Sequence, residues 1–260
     1  MRGWRRWAVG AAVVLLASGL LAWFLPARWA VAWIGPRLHG IRLEQVHGSV
    51  WDGRAGQVLG ADGRAYGSLR WRLSRRALLG DMRLRLDLDG PSLDFGGELR
   101  RPAADRLAWR DVRVRADLAE LAPPQALSLG QPQGVLAVQA PEALTQGGWP
   151  LQLRAQAQWR DAGLRTHNGE VALGNLQFEA EGDDGLIRTQ MHDDGHGPLA
   201  LEGRLEASPL GWRLDATLRP RGGDPALRRW LATLGQPAAD GSLYLRRQGG
   251  LALPAGTARP

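Results

Sequence analysis

The residues best placed to do chemistry are His192-Asp193-Asp194-Gly195-His196. Two histidines four apart, with carboxylates between them, would present a metal-binding face if they stood on a helix. Gly195 and the following Gly197-Pro198 favour a turn instead, and no third ligand stands nearby. The segment is expected to be a solvated hairpin tip without a metal. His39, His47 and His167 are isolated and border Gly or Asn, which suggests loop positions. There is no Cys, so a cysteine nucleophile, a disulfide scaffold and a zinc ribbon are excluded. There is no Lys either, since all 33 basic residues are Arg. A Walker A loop and Schiff-base chemistry are thereby excluded. The chain contains no G-x-S-x-G elbow and no H-E-x-x-H helix. No catalytic residue, cofactor or metal is expected. The net charge of +7 is dispersed among acids and forms no single patch, so nucleic acid is not an expected partner.

The elements that would position any site divide into an apolar start and a β-rich remainder. From Trp7 to Ala27 no side chain is charged. A helix of about 20 residues spans roughly 30 Å of hydrocarbon. Arg5 and Arg6 precede this run and Arg28 follows it. The positive-inside rule then places the N-terminus in the cytoplasm and the rest outside. Trp7 at one end, and Trp23, Trp29 and Trp33 at the other, suit the two interfacial belts. A signal peptide cut near Ala17-Ser18-Gly19 is the alternative, but the apolar run continues through Leu25. Either reading exports the main domain. Pro26 either closes the membrane helix or starts a second short one, and Gly35-Pro36 marks a break.

Beyond that point, apolar and polar residues alternate strictly in several stretches: 68–73, 82–89, 151–160, 176–181, 199–206 and 212–219. One polar and one apolar face is the antiparallel pattern. Arg70 and Arg72 could pair across strands with Asp87 and Asp89. The phase slips at Arg110-Asp111, where a bulge is expected. Ser74–Leu79 reads as a single helical turn, and Asp224–Gly235 as a helix capped by Asp224-Pro225. Trp71, Trp159 and Trp212 fall on apolar strand faces and are expected in the core. The fold class is mainly β. A transmembrane helix is followed by an antiparallel β-rich domain with one or two short helices. The expected organisation is a cytoplasmic stub at 1–6, the membrane helix at 7–27 and the β-rich domain at 28–249. A subdivision near 122–133 and a disordered tail at 250–260 complete it.

Several segments in order resemble a known family. Leu25-Pro26-Ala27-Arg28 and Leu38-His39-Gly40-Ile41 come first, then Val46-His47-Gly48-Ser49-Val50-Trp51-Asp52-Gly53. Gly67 through Leu73, with Trp71, follows, and Gly235-Gln236-Pro237 and Asp240-Gly241-Ser242 stand near the end. This order is similar to the type II secretion system protein N family over nearly the whole chain. AsmA-like envelope proteins carry similar short patterns. The resemblance implies a single-pass inner-membrane subunit whose main domain is periplasmic. Its partners would be other subunits of that secretion system, and it would have no catalytic residue and no cofactor. Gly48 and Gly53 around Val50-Trp51 would allow a tight turn with Trp51 as its apolar plug. Gly48, Val50, Trp51, Gly53, Trp71, Gly235 and Gly241 are thus expected to serve structure. An AsmA-like lipid groove along an apolar sheet face is the alternative function.

Overall fold

The computed structural model describes residues 25–35, 40–121 and 130–250. The expected membrane helix, with Arg5, Arg6, Trp7 and Trp23, lies outside the described residues except for Leu25–Ala27. So do His39 and the residues from 251 onward. No helix among the described residues is long and apolar enough to cross a membrane.

Among the described residues thirteen strands form one antiparallel sheet in strict chain order. They are β1 (Arg42–Gly48), β2 (Asp52–Leu59), β3 (Ala65–Leu73), β4 (Arg83–Asp89), β5 (Leu93–Ala103), β6 (Arg106–Asp117) and β7 (Gln131–Gln146). The second half adds β8 (Trp149–Thr166), β9 (Gly169–Asp183), β10 (Leu186–Asp193), β11 (Leu199–Ser208), β12 (Gly211–Pro220) and β13 (Leu243–Gly250). Helices α1 (Ala27–Ile34), α2 (Leu118–Leu121) and α3 (Pro225–Leu234) and a 3-10 turn at Arg75–Leu79 accompany them. The mainly β, antiparallel expectation holds. β6 pairs with β7 across the expected subdivision near 122–133, whose residues from Gln131 onward are strand.

Two rows of cross-strand neighbours explain the register. On one face Val46, Ala55, Leu69, Leu88 and Phe95 are successive partners from β1 to β5. Val114, Val138, Ala157 and Phe178 continue the row to β9. Met191, Gly203, Ala216 and Leu245 complete it at β13. At ~4.8 Å per strand this apolar row runs about 58 Å. On the other face Arg85, Glu98, Arg110, Glu142 and Arg154 alternate in sign from β4 to β8. Glu181, Arg188, Glu206 and Arg213 carry the alternation to β12. A one-residue slip would carry these charges to the apolar face and set them opposite apolar residues, so both faces specify the same register.

Three departures from ideal strands have local causes. The phase slip at Arg110-Asp111 is a bulge: Asp111 has φ 51°, and the pairing with β5 shifts by one residue between Gly96↔Arg113 and Glu98↔Arg110. Asp161 (φ 49°) does the same in β8, where the pairing with β9 shifts between Trp159 and Ala162, while Gln45 (φ 53°) takes the left-handed backbone in β1 with the register unbroken. Asp tolerates this left-handed backbone better than most residues.

The core sits under α3. Asp224 accepts a hydrogen bond from the Ala226 N–H at 2.8 Å, and Pro225 occupies the first turn, where no donor is needed. Leu227 and Leu231 are buried at 0% and 1% exposure against Leu164, Leu173, Leu199 and Leu218. Each contributes about 1.5–3 kcal/mol by leaving water. Past Leu234 the backbone is extended at Gly235, and the Arg247 guanidinium donates to the Leu234 carbonyl at 3.1 Å. Gly241 (φ 79°) turns the chain back into β13.

Some expectations are corrected. Trp212 is 44% exposed, because it lies at the sheet end remote from α3, over Gly249. Trp71 and Trp159 are half-buried, and Trp159 packs on the core and donates to the Gln133 carbonyl at 2.8 Å. His47 is a strand residue, paired with Arg54. Arg70 does pair with Asp89, at 2.9 Å, but Arg72 faces Arg85 and turns to Asp52 at 3.8 Å.

Candidate functional site

Sequential antiparallel order places every odd-to-even connection at one end of the sheet. The Val46–Gly53 segment is the first of these, the β1–β2 hairpin. Gly48 (φ 88°) needs the left-handed region, and a Cβ there would meet the Asp52 carbonyl at 2.5 Å. Ser49 N–H donates to the Asp52 carbonyl at 2.9 Å, and Ser49 Oγ accepts from the Asp52 N–H at 3.1 Å. Trp51 is 7% exposed, and its carbonyl accepts from the Leu73 N–H at 2.7 Å. Trp71 Nε1 donates to the Val50 carbonyl at 3.2 Å, and its ring lies where a Gly53 side chain would stand. Each glycine therefore makes room for a specific neighbour.

The same hairpin receives the N-terminal segment. Val50 N–H donates to the Leu25 carbonyl at 3.0 Å, and Pro26 forms an antiparallel bridge with Ser49. Ala27 is 1% exposed, and α1 then runs beside β1. On α1, Arg28 is exposed and Trp29 is 63% exposed. The backbone of Trp33 belongs to α1, while its side chain lies outside the description.

The His192–His196 segment is a turn at the opposite end. Asp193 closes β10, and its carboxylate accepts from the N–H groups of Gly195 at 2.7 Å and Leu201 at 2.8 Å, and from Arg221. Burial pushes the Asp193 carboxyl up. Arg221 and the two backbone donors outweigh this and hold it below its ordinary value. Asp194 accepts from Asn175 Nδ2 at 2.8 Å and from the His196 N–H at 2.9 Å, which likewise lowers its pKa. The carboxylates are thus satisfied as turn and strand-end acceptors. His192 Nε2 lies 3.3 Å from Gln177 Oε1. No group of three metal-ligating side chains is assembled among the described residues.

The acids of the sheet are also committed. A cleft of about 670 Å³ is lined by Trp109, Glu142, Arg154, Glu181 and Arg188 but by no His or Ser. Its carboxylates face arginines across the strands. α3 covers the apolar face at one end of the second half, where Leu164, Leu173, Leu199, Leu218 and Leu243 are buried with Leu227 and Leu231. Leu86, Leu88, Phe95, Val114 and Val138 remain half-buried. β13 lies at one margin of the sheet, with Tyr244 68% exposed.

The described residues thus form an open antiparallel sheet, with the carboxylates of the His192–His196 turn engaged by turn and strand-end donors. A family profile described as type II secretion system protein N matches residues 39–246. The chain belongs to the type II secretion system protein N family. No curated protein and no solved structure matches it. Membership gives the chain a part in type II secretion, as a structural component of a bacterial envelope machine in association with other subunits.

The seven residues singled out for structure occupy different places. Gly48, Val50, Trp51, Gly53 and Trp71 meet at the β1–β2 hairpin, while Gly235 and Gly241 flank the return from α3 to β13. What the sequence did not single out is Leu25 as a hydrogen-bond partner of Val50. No motif signals it, because the link joins backbone atoms.

Proposed function

We propose that the chain is a non-catalytic inner-membrane subunit of the type II secretion system. Residues 7–27 would anchor it, and the sheet domain would stand in the periplasm and bind other subunits. The observation that carries this reading is the family match over 39–246, with which the hairpin geometry agrees. Leu25 and Pro26 are tied to the first hairpin, so an anchor would be coupled to the sheet without a slack linker. The β13 margin offers strand addition, with main-chain groups for affinity and alternating side chains for selection. Cross-linking in intact cells with a thiol-to-amine reagent tests it. The chain has no Cys, so Tyr244→Cys places a single thiol on that margin. Trapped adducts with other secretion subunits in intact cells are expected. Complexes purified from the inner membrane without this chain would refute the reading.

A second reading is favoured by the apolar row across all thirteen strands, much of it uncovered. In it the face accommodates acyl chains in an AsmA-like manner. Lipid retained by the purified chain and moved between vesicles would favour it. Absence of both would dismiss it.

A further inference from the structure

The 3-10 turn Arg75–Leu79 carries two leucines in water, Leu78 at 59% and Leu79 at 88% exposure. The turn is ordered. Ser74 Oγ accepts from the Arg76 N–H at 3.2 Å, and Gly80 (φ 91°) donates to the Ala77 carbonyl at 3.1 Å. Two adjacent leucines at an exposed tip form a small apolar patch open to another surface.

The turn joins β3 to β4, so it lies at the same end of the sheet as the β1–β2 hairpin. The two connections touch through the Leu73 N–H to Trp51 carbonyl bond at 2.7 Å. That hairpin is where Leu25 and Pro26 join the sheet. The 21 uncharged residues from Trp7 to Ala27 end there, so a membrane segment would bring its own interface to this end.

The charges at this end break the rule of the rest of the sheet. Arg72 and Arg85 stand directly opposite each other, as do Arg54 and Arg70. From β4 to β12 the corresponding row alternates in sign without such a clash. Like charges facing each other across a sheet are destabilising. Their acidic neighbours relieve them weakly: Asp52 is 3.8 Å from Arg72 and Asp87 is 3.5 Å from Arg85, in side chains at least half exposed. A cleft of about 550 Å³ lies over these arginines, lined also by Asp52 and Asp87. Arg75 and Arg76 add exposed charge on the turn itself. The far corner differs, since the β9–β10 turn carries exposed Asp183 and Asp184.

We propose that the β1–β4 corner docks on the anionic surface of the membrane. Leu78 and Leu79 enter the interfacial layer, and Arg72 and Arg85, with Arg75 and Arg76, take headgroup phosphates. Apolar side chains backed by arginines bind such a surface through both terms at once. The inference rests on the reading of the chain as a membrane-anchored subunit.

The test uses the full chain, which lacks Cys. Leu79→Cys carries a polarity-sensitive dye, and Asn168→Cys, in the β8–β9 turn at the other end, is the control. Each protein is reconstituted in phosphatidylglycerol–phosphatidylethanolamine vesicles containing a shallow nitroxide lipid, and in phosphatidylcholine vesicles with the same quencher. The dye at position 79 should be blue-shifted and quenched in the anionic vesicles, and the dye at 168 should be neither. Arg72→Gln with Arg85→Gln should lower the docked-to-undocked ratio about 25-fold, at roughly fivefold per arginine. Both arginines are exposed, and a thermal melt confirms that the variant folds. A dye at 79 as solvated as that at 168 would overturn the proposal. Equal quenching in both lipids, or shielding that appears only with other secretion subunits present, would overturn it too. Failure here, in a chain that still co-purifies with secretion subunits, would leave its secretion role standing.

Discussion

Replacing Gly53 by Ala should destabilise the protein by far more than the size of a methyl group suggests. A Cβ at that position would lie 2.3 Å from Cζ2 and 2.6 Å from Cε2 of Trp71, and 2.7 Å from the Ser49 carbonyl oxygen. These contacts are too short for any flexible group to absorb, because the indole is held between strands. The ring must move, and its Nε1 hydrogen bond to the Val50 carbonyl, 3.2 Å long, goes with it. Overpacking costs about 1–3 kcal/mol, and the lost hydrogen bond adds about 0.5–1.5 kcal/mol. The expected loss is therefore about 1.5–4.5 kcal/mol. Gly222→Ala is the matched control, since nothing lies within 4 Å of its Cβ position. It should be neutral or stabilising by up to ~1 kcal/mol through the unfolded chain. Urea unfolding of the full chain in detergent, followed by circular dichroism and tryptophan emission, measures both. If the two variants differ by less than ~0.5 kcal/mol, within the ordinary range of surface changes, the tight hairpin packing described above is wrong.

Other outcomes follow from the same geometry. Asp193→Asn should cost about 1.5–3 kcal/mol at neutral pH, because a nearly buried carboxylate loses charge-assisted bonds. Asp193 has a lowered folded pKa, so its contribution is full above the ordinary carboxylate pKa of about 4 and fades as pH falls through the folded value. Melts of both proteins should therefore diverge at pH 7 and converge in strong acid. Leu231→Ala should cost about 2–5 kcal/mol by opening a cavity under α3, whereas Leu79→Ala should change stability by less than ~0.5 kcal/mol. Glu142→Arg would set three arginines in a row with Arg110 and Arg154. A loss of about 1 kcal/mol in total is expected, reduced by salt.

The sequence carried much of the sheet because alternation is a local property. The stretches at 68–73, 151–160 and 212–219 each lie inside an observed strand. β7 was hidden for an equally physical reason. Its first residues, including Pro132, fell in the expected subdivision near 122–133, and the register shifts at Gln133/Val135 and Gln139/Glu142 accommodate Gly134 and Pro141 within the strand. The Arg/Glu ladder could not be read from any one strand, since each rung pairs residues that only the fold brings opposite. Trp212 shows the same limit. Its strand pattern assigns a face, but whether that face is covered depends on where α3 lands. The turn at 192–196 was legible from Gly195 and Gly197-Pro198. Its hold on Arg221 was not, because Arg221 lies beyond two further strands.

The central claim, a part in type II secretion through a membrane-anchored sheet domain, is tested most directly by deleting the gene. Exoprotein activity is then measured in the medium and in the periplasm, with the full chain restored in trans. Active exoprotein trapped in the periplasm, and released again on complementation, is the predicted result. Undiminished activity in the medium of the deletion strain would contradict the account.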